Sequence, residues 1–88
     1  MSRIRPGFEV HVVADCPVVI ATGDAVREFA GMIRLNETSL EIWRALEDGL
    51  SNEQIAERLC LLFEVAEREA LASVERVVDE LSRAGALR

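Results

Sequence analysis

The spacing of hydrophobic residues changes once along this chain of 88 residues, near Asn36, and that change limits the fold more than any other feature. Before Asn36 apolar and polar residues alternate, as in half-buried strands. After it, apolar residues recur every three or four positions, as on helices. The sequence therefore predicts strands followed by helices. A chain this short buries only about 60–65% of the surface that it exposes when unfolded, so we expect one domain, residues 1–88, with one modest core.

Three short strands are predicted in the first part of the chain. Residues 8–13 alternate in hydrophobicity and form the first strand, which Pro17 and its neighbours should end because proline cannot donate to a strand ladder. The β-branched run 18–22 is the second strand, and residues 32–35 are the third. Residues 24–31 are compatible with a loop, a single helical turn or an irregular strand start.

Three helices are predicted in the second part. The first begins at a capping box of Thr38 and Glu41, and the second at a capping box of Ser51 and Gln54. The third spans roughly residues 66–84 and carries one apolar band, after which the tail can fold back onto the core. Strands that are close in sequence favour an antiparallel meander, and the helices suit a helix-turn-helix bundle. The predicted fold is α+β, winged helix-turn-helix-like, with a three-stranded antiparallel sheet followed by three helices.

The charge distribution argues against a nucleic-acid partner. The chain has ten basic residues, all Arg, against 16 acidic residues, for a net charge of −6. Residues 1–35 are neutral overall, so the whole excess of negative charge lies in the helical part. A protein that binds nucleic acid gains affinity by neutralising phosphates and usually presents a basic face. We therefore expect peptides, proteins or small molecules as partners.

The sequence shows no sign of a membrane or secreted location. No apolar run approaches the roughly 20 residues that a membrane-spanning helix needs, and the N-terminal residues lack the apolar core of a signal peptide. Cys16 and Cys60 lie far apart without a CxxC pair, so a disulfide framework is not expected. We expect a cytoplasmic protein.

No motif for catalysis or for a cofactor is present. His11, Cys16 and Cys60 are the only His and Cys residues, one fewer than the four ligands of a structural zinc site. The glycines are isolated and do not form a phosphate-binding loop. The acidic pairs on the helices are typical of a solvated surface. We therefore expect neither enzyme activity, nor a metal, nor a cofactor.

Two features favour a binding site instead. The third strand is short and lies next to helices in the chain, and an uncovered strand edge accepts another strand through its free N–H and C=O groups. The apolar band of the third helix is wider than one core contact requires, so one side of it can form the wall of a groove beside that strand.

The residues of this region resemble the PqqD-like family. The resemblance rests on the run Gly31-Met32-Ile33-Arg34-Leu35-Asn36-Glu37-Thr38, on Ile42-Trp43 after it, on the second helix over residues 51–63, and on the ending Ala84-Gly85-Ala86-Leu87. It covers about residues 7–88. The order and the spacing of these pieces together are more specific than any one of them.

The resemblance implies a recognition element, or peptide chaperone, that binds the leader segment of a ribosomally synthesised precursor peptide. Such domains present the peptide to a modifying enzyme, often a radical SAM enzyme. In the family the leader adds as a strand beside the third strand and lies against the third helix. Carried over to this chain, the implied peptide-binding residues are Met32, Ile33, Arg34, Leu35, Val74, Val77, Val78 and Leu81, with Arg76 and Arg83 at the rim.

The chain departs from the family pattern in two places. The family often has Asp where this chain has Ala66, so the third helix should lack a side-chain cap, a loss of about 1 kcal/mol. Residues 23–31 form a longer segment than in the members that make pyrroloquinoline quinone, and are more similar to PqqD-like proteins of other peptide-modification clusters.

Other functions remain open at this point. One is a winged-helix regulator that binds DNA, although the third helix carries three Arg against five acidic residues. Another is a small acidic dimerisation or scaffold module. A homodimer paired through the edge of the third strand is also possible.

Overall fold

Three strands and three helices follow one another in the computed structural model of this protein, which describes residues 1–27 and 31–88. The elements are β1 (Phe8–Val13), β2 (Cys16–Ala21), β3 (Met32–Arg34), α1 (Glu37–Glu47), α2 (Asn52–Phe63) and α3 (Glu67–Arg83). The predicted order and the α+β, winged-helix character are confirmed. A 3-10 helix, Gly23–Arg27, occupies the first part of the stretch that the sequence left open. Residues 28–30 of that stretch lie outside the described residues.

The strands form one antiparallel sheet in the order β1-β2-β3. A two-residue turn at Ala14 and Asp15 joins β1 to β2. Both residues have positive φ angles, 51° and 64°, as required by the hairpin turn that matches the twist of the strands. The turn places Val13 opposite Cys16 and so fixes the register of the whole pair. β2 is the central strand, and β3 pairs with β2 alone among the described residues.

β1 ends at Val13, before Pro17, as predicted. Pro17 itself lies inside β2, which begins at Cys16 and not at residue 18, so the predicted start of the second strand is wrong. In a two-residue hairpin the pair next to the turn, Val13 and Cys16, exchanges hydrogen bonds, and the following pair, Val12 and Pro17, exchanges none. The missing amide of Pro17 therefore removes no hydrogen bond to β1. On its other side the Pro17 carbonyl accepts a hydrogen bond from the Leu35 amide, at 2.9 Å.

α1 begins two residues earlier than predicted, at a different capping box. The Asn36 Oδ1 atom accepts a hydrogen bond from the Ser39 amide at 2.8 Å, and the Ser39 hydroxyl oxygen accepts one from the Asn36 amide at 2.7 Å. The predicted box of Thr38 and Glu41 is therefore wrong. Asn36 has the extended backbone of an N-cap residue and its side chain accepts the hydrogen bond of the Ser39 amide, so the helix begins before Thr38.

α2 and α3 begin in different ways. At α2 the predicted capping box is confirmed: the Ser51 hydroxyl oxygen accepts from the Gln54 amide at 3.2 Å, and the Gln54 side chain accepts from the Ser51 amide at 2.9 Å. Ala66, which precedes α3, supplies no side-chain cap, also as predicted. The first turn of α3 therefore has amides without a side-chain acceptor.

The core lies between the sheet and the three helices. Its largest fully buried side chains are Val19, Ile42, Trp43, Leu46, Ile55, Leu59, Val74 and Leu81. The two ends of the chain close over it: Ile4 and Leu87 form an antiparallel bridge, and Ala86 is fully buried. The predicted return of the C-terminal tail to the core is confirmed. In the part of the chain that the structure describes, no helix combines the length and the apolar character needed to cross a membrane.

Replacing Ala66 by Asp should raise the free energy of unfolding by about 1 kcal/mol, which is the usual contribution of an N-cap side chain. The backbone of Ala66 is already extended and the residue is exposed, so the new carboxylate can accept a first-turn amide without being buried. Urea unfolding followed by circular dichroism measures the change. Asn36→Ala is the matched control and should lower stability by a similar amount. An Ala66→Asp protein no more stable than the parent would contradict this account of the helix end.

Candidate functional site

A groove lies between the edge strand β3 and helix α3, and we call it the edge groove. It encloses about 140 Å³. Apolar residues line it from both sides, Ile33 and Leu35 on the strand side and Val77 and Leu81 on α3, together with Ile42 of α1. Leu35, Ile42 and Leu81 also belong to the core. The edge groove therefore continues the apolar layer of the core as far as the edge of the sheet.

The hydrogen bonds of β3 determine which backbone groups face the free edge. The Leu35 amide donates to Pro17 of β2, so residue 35 turns its backbone groups inward. Because this direction alternates along an antiparallel strand, Ile33 also faces β2, whereas Met32 and Arg34 face away from it. The amides and carbonyls of Met32 and Arg34 have no hydrogen-bond partner among the described residues. They are the groups that an added strand would pair with.

One face of α3 forms the opposite wall. The residues that line the edge groove are Ser73, Arg76, Val77, Glu80 and Leu81. They recur every three or four positions, so their side chains lie on one side of the helix. The same wall therefore combines apolar side chains with one cationic and one anionic side chain.

The residues implied by the family resemblance fall into two sets. Those that line the edge groove are Ile33, Arg34, Leu35, Arg76, Val77 and Leu81. The others lie beside it. Met32 is at the free edge with 60% of its surface exposed, Val74 is fully buried, and Val78 is half-buried against the core. Arg83 is paired with Asp79, with 3.1 Å between Nε and Oδ2.

Sequence analysis predicted the two arginines of the lining but missed its other polar residues and one apolar residue. The missed residues are Asn36, Thr38, Ser39, Ile42, Ser73 and Glu80. Ser73 and Glu80 were missed because the family resemblance implied only apolar residues and two arginines on the third helix. Both lie on the helical face of Arg76 and Val77 and are found by extending that face by one turn in each direction. The first turn of α1 reaches the groove only because Asn36 starts that helix directly after β3.

A second compartment adjoins the edge groove. It encloses about 320 Å³ and shares Thr38, Ser73 and Arg76 with the first cavity. Most of the remaining lining is apolar and comes from the end of α2 and the start of α3, namely Leu59, Phe63, Val65, Ala70 and Ala72, with Glu69 beside them. The two cavities together form one surface that follows α3, with Arg76 at their junction.

The reactive side chains lie outside both cavities. His11 is on β1, where its Nε2 atom is 3.6 Å from the carboxylate of Glu9. Cys16 and Cys60 are free thiols, and neither lines the two cavities. Within residues 1–27 and 31–88, no group of three or more His, Cys, Asp and Glu side chains is placed to hold a metal ion. The edge groove offers apolar surface, unpaired backbone groups and single charges, which is an arrangement for binding an extended chain.

Comparison with known families identifies one match. The model of the family described as coenzyme PQQ synthesis protein D (PqqD) matches residues 21–87. The match starts at the end of β2, so it includes β3, all three helices and both walls of the edge groove. The expected resemblance to PqqD-like proteins is confirmed. A search of curated protein sequences found no match.

Two solved structures share the fold over almost their whole length. TbiB1 in complex with the TbiA(beta) leader peptide is 18% identical, with a TM-score of 0.77, over 100% of this chain and 95% of that chain. Lasso peptide synthetase B1 complexed with the leader peptide is 24% identical, with a TM-score of 0.78, over 98% of this chain and 95% of that chain. At these identities the similarity establishes the fold.

Val74 and Val77 should respond differently to truncation, because one is in the core and the other lines the edge groove. Val74→Ala should lower the free energy of unfolding by about 2 kcal/mol, because Val74 is fully buried. Val77→Ala should lower it by less than about 1 kcal/mol, because Val77 is only half-buried. Urea midpoints of the two variants measure the difference. Equal losses of stability would contradict the separation of core from groove on α3.

Proposed function

We propose a peptide-binding function for this chain, which belongs to the PqqD family. The leader segment of a ribosomally synthesised precursor peptide adds as a fourth strand beside β3 and lies in the edge groove against α3. The observation that carries this proposal is the backbone of Met32 and Arg34, which has no hydrogen-bond partner among the described residues and lies at the side of a groove with an apolar wall. Two proteins of the same fold have been solved with leader peptides, which supports it.

The two walls contribute to binding in different ways. On β3 the amides and carbonyls of Met32 and Arg34 form a ladder with the peptide backbone, and that ladder tolerates many peptide sequences. On the other side the half-buried Val77 contacts the side chains that the peptide turns toward the helices, and the buried Leu81 and Ile42 form the floor beneath it. Alternate side chains of the added strand therefore meet the groove, while the remaining ones face away from it.

The domain binds its peptide and leaves the chemistry to a partner. By holding the leader it brings the rest of the precursor peptide to a peptide-modifying enzyme, often a radical SAM enzyme in this family. Such tethering raises the effective concentration of the peptide at the enzyme without any reaction by the tether. We also infer a cytoplasmic location, which the two free thiols of Cys16 and Cys60 support.

The charge of α3 is unfavourable for the alternative of DNA recognition. In a winged helix the recognition helix enters the major groove and its ends contact phosphates. α3 carries three Arg against five acidic residues, so phosphates would be repelled along most of its length. A peptide strand with a neutral backbone meets no such repulsion.

A titration followed by NMR maps the peptide site directly. We expect the leader segment of a cognate precursor peptide to shift the amide signals of residues 31–36 and 73–81, which line or flank the edge groove. Amides on the exposed face of α2, residues 53, 57 and 61, serve as the internal control and should stay in place. Shifts confined to α2, or no shift at high micromolar peptide, would contradict the proposal.

Arg34→Pro should weaken leader binding about tenfold, because it removes one outward amide and leaves one peptide carbonyl without its donor. Proline is tolerated at a free strand edge, and the inward groups of Ile33 and Leu35 keep their bonds to β2. Arg34→Ala is the matched control, since it loses the side chain and keeps the amide. Calorimetric titration gives both affinities. A loss as large for Arg34→Ala as for Arg34→Pro would assign the effect to the side chain and count against strand addition.

A further inference from the structure

Arg76 lies at the junction of the two cavities and has no ionic partner in the part of the chain that the structure describes. It lines both the edge groove and the second compartment. Three of the four other helical arginines are paired with carboxylates, Arg44 with Glu41 at 3.4 Å, Arg58 with Asp48 at 3.6 Å and Arg83 with Asp79 at 3.1 Å. The fourth, Arg68, has no ion pair among the described residues either, but it lines neither cavity. Within residues 1–27 and 31–88 the guanidinium of Arg76 has no such partner, although the chain has a large excess of acidic residues.

Glu80 lies one helical turn beyond Arg76 on the same face of α3 and lines the edge groove. It too forms no ion pair with the described residues. Four residues of an α-helix advance about 6 Å along the axis. Two residues of an extended strand advance about 6.6–6.8 Å and return the side chain to the same face. A strand in the groove thus presents every second side chain at nearly the spacing of Arg76 and Glu80.

The two walls of the edge groove have similar lengths. α3 lines the edge groove from Ser73 to Leu81, which is about 12 Å of helix axis. The opposite wall runs from Ile33 to Asn36, which is about 10 Å of extended chain. A peptide paired with β3 therefore lies in the same cavity as both charged residues of the helix wall.

We propose, resting on the peptide-binding function above, that α3 selects leader segments with an acidic and a basic side chain two residues apart. The acidic side chain meets Arg76 and the basic one meets Glu80. Peptides bound in one direction carry the two charges in the same order. A partly exposed ion pair changes affinity by a factor of up to about five, which suffices to select among peptides that share the backbone ladder.

A displayed library of random dodecapeptides, selected on the full chain, tests this proposal. Peptides retained by the parent protein should align on one acidic and one basic position two residues apart, each enriched up to about fivefold over the unselected library. Arg76→Glu should convert the preference at the acidic position to basic residues and leave the other position unchanged. Glu80→Arg should convert the basic position to acidic residues. Both residues are exposed, so these variants should fold, as circular dichroism will verify.

Arg68→Glu is the matched control. It makes the same change of charge at an exposed residue of the same helix that lines neither cavity, and it should retain the parent pattern. Enrichment of apolar residues alone, with charged residues at library frequency for the parent and both groove variants, would overturn this inference and leave peptide binding intact. If the parent protein retains no more peptide than the Arg34→Pro variant does, the proposed function is overturned as well.

Discussion

The two-residue turn at Ala14 and Asp15 determines which groups of β3 are free. It makes Val13 and Cys16 the hydrogen-bonded pair next to the turn, so the backbone of Pro17 faces β3. The Pro17 carbonyl then accepts a hydrogen bond from the Leu35 amide. The direction of the backbone groups alternates along β3 from that bond. The amide and carbonyl of Ile33 therefore face β2, and those of Met32 and Arg34 face away from it. The hairpin at the other side of the sheet therefore determines which backbone groups of β3 are at the free edge. A shift of the strand register by one residue would turn the apolar side chains of β3 away from the helices.

The same alternation gives the edge groove its apolar strand wall. Ile33 and Leu35 direct their backbone to β2 and their side chains to the helix layer, where Leu35 is buried with Ile42 and Leu81. In a domain of this size the core has few side chains, so the groove must share them. Leu81 belongs to the core and lines the groove at once, whereas Val74, one turn away from Val77, is used by the core alone. Binding and stability are thus separable at only a few positions of α3.

The sequence predicts the elements well because their signals are local. Each signal depends on residues within about one helical turn of each other. The structure confirms the change from strands to helices, the cap at Ser51 and the missing cap at Ala66. The errors depend on register or on competition. Pro17 is compatible with β2 only because its pair carries no hydrogen bond to β1, and Asn36 displaces Thr38 as the cap of α1. The outward amides of β3 and the polar groove residues of α3 likewise depend on tertiary pairing, which spacing in the sequence does not contain.

Affinity and selectivity reside on different elements of this fold. The hydrogen bonds offered by β3 come from the backbone, so no side-chain substitution other than proline removes them. The polar contacts offered by α3 come from side chains outside the core, where substitution has little effect on stability. The preference for a particular peptide can therefore change through residues such as Ser73, Arg76 and Glu80 while the ladder and the core stay as they are. A groove with one backbone wall and one side-chain wall is suited to a domain that must hold one peptide segment firmly and distinguish it from others.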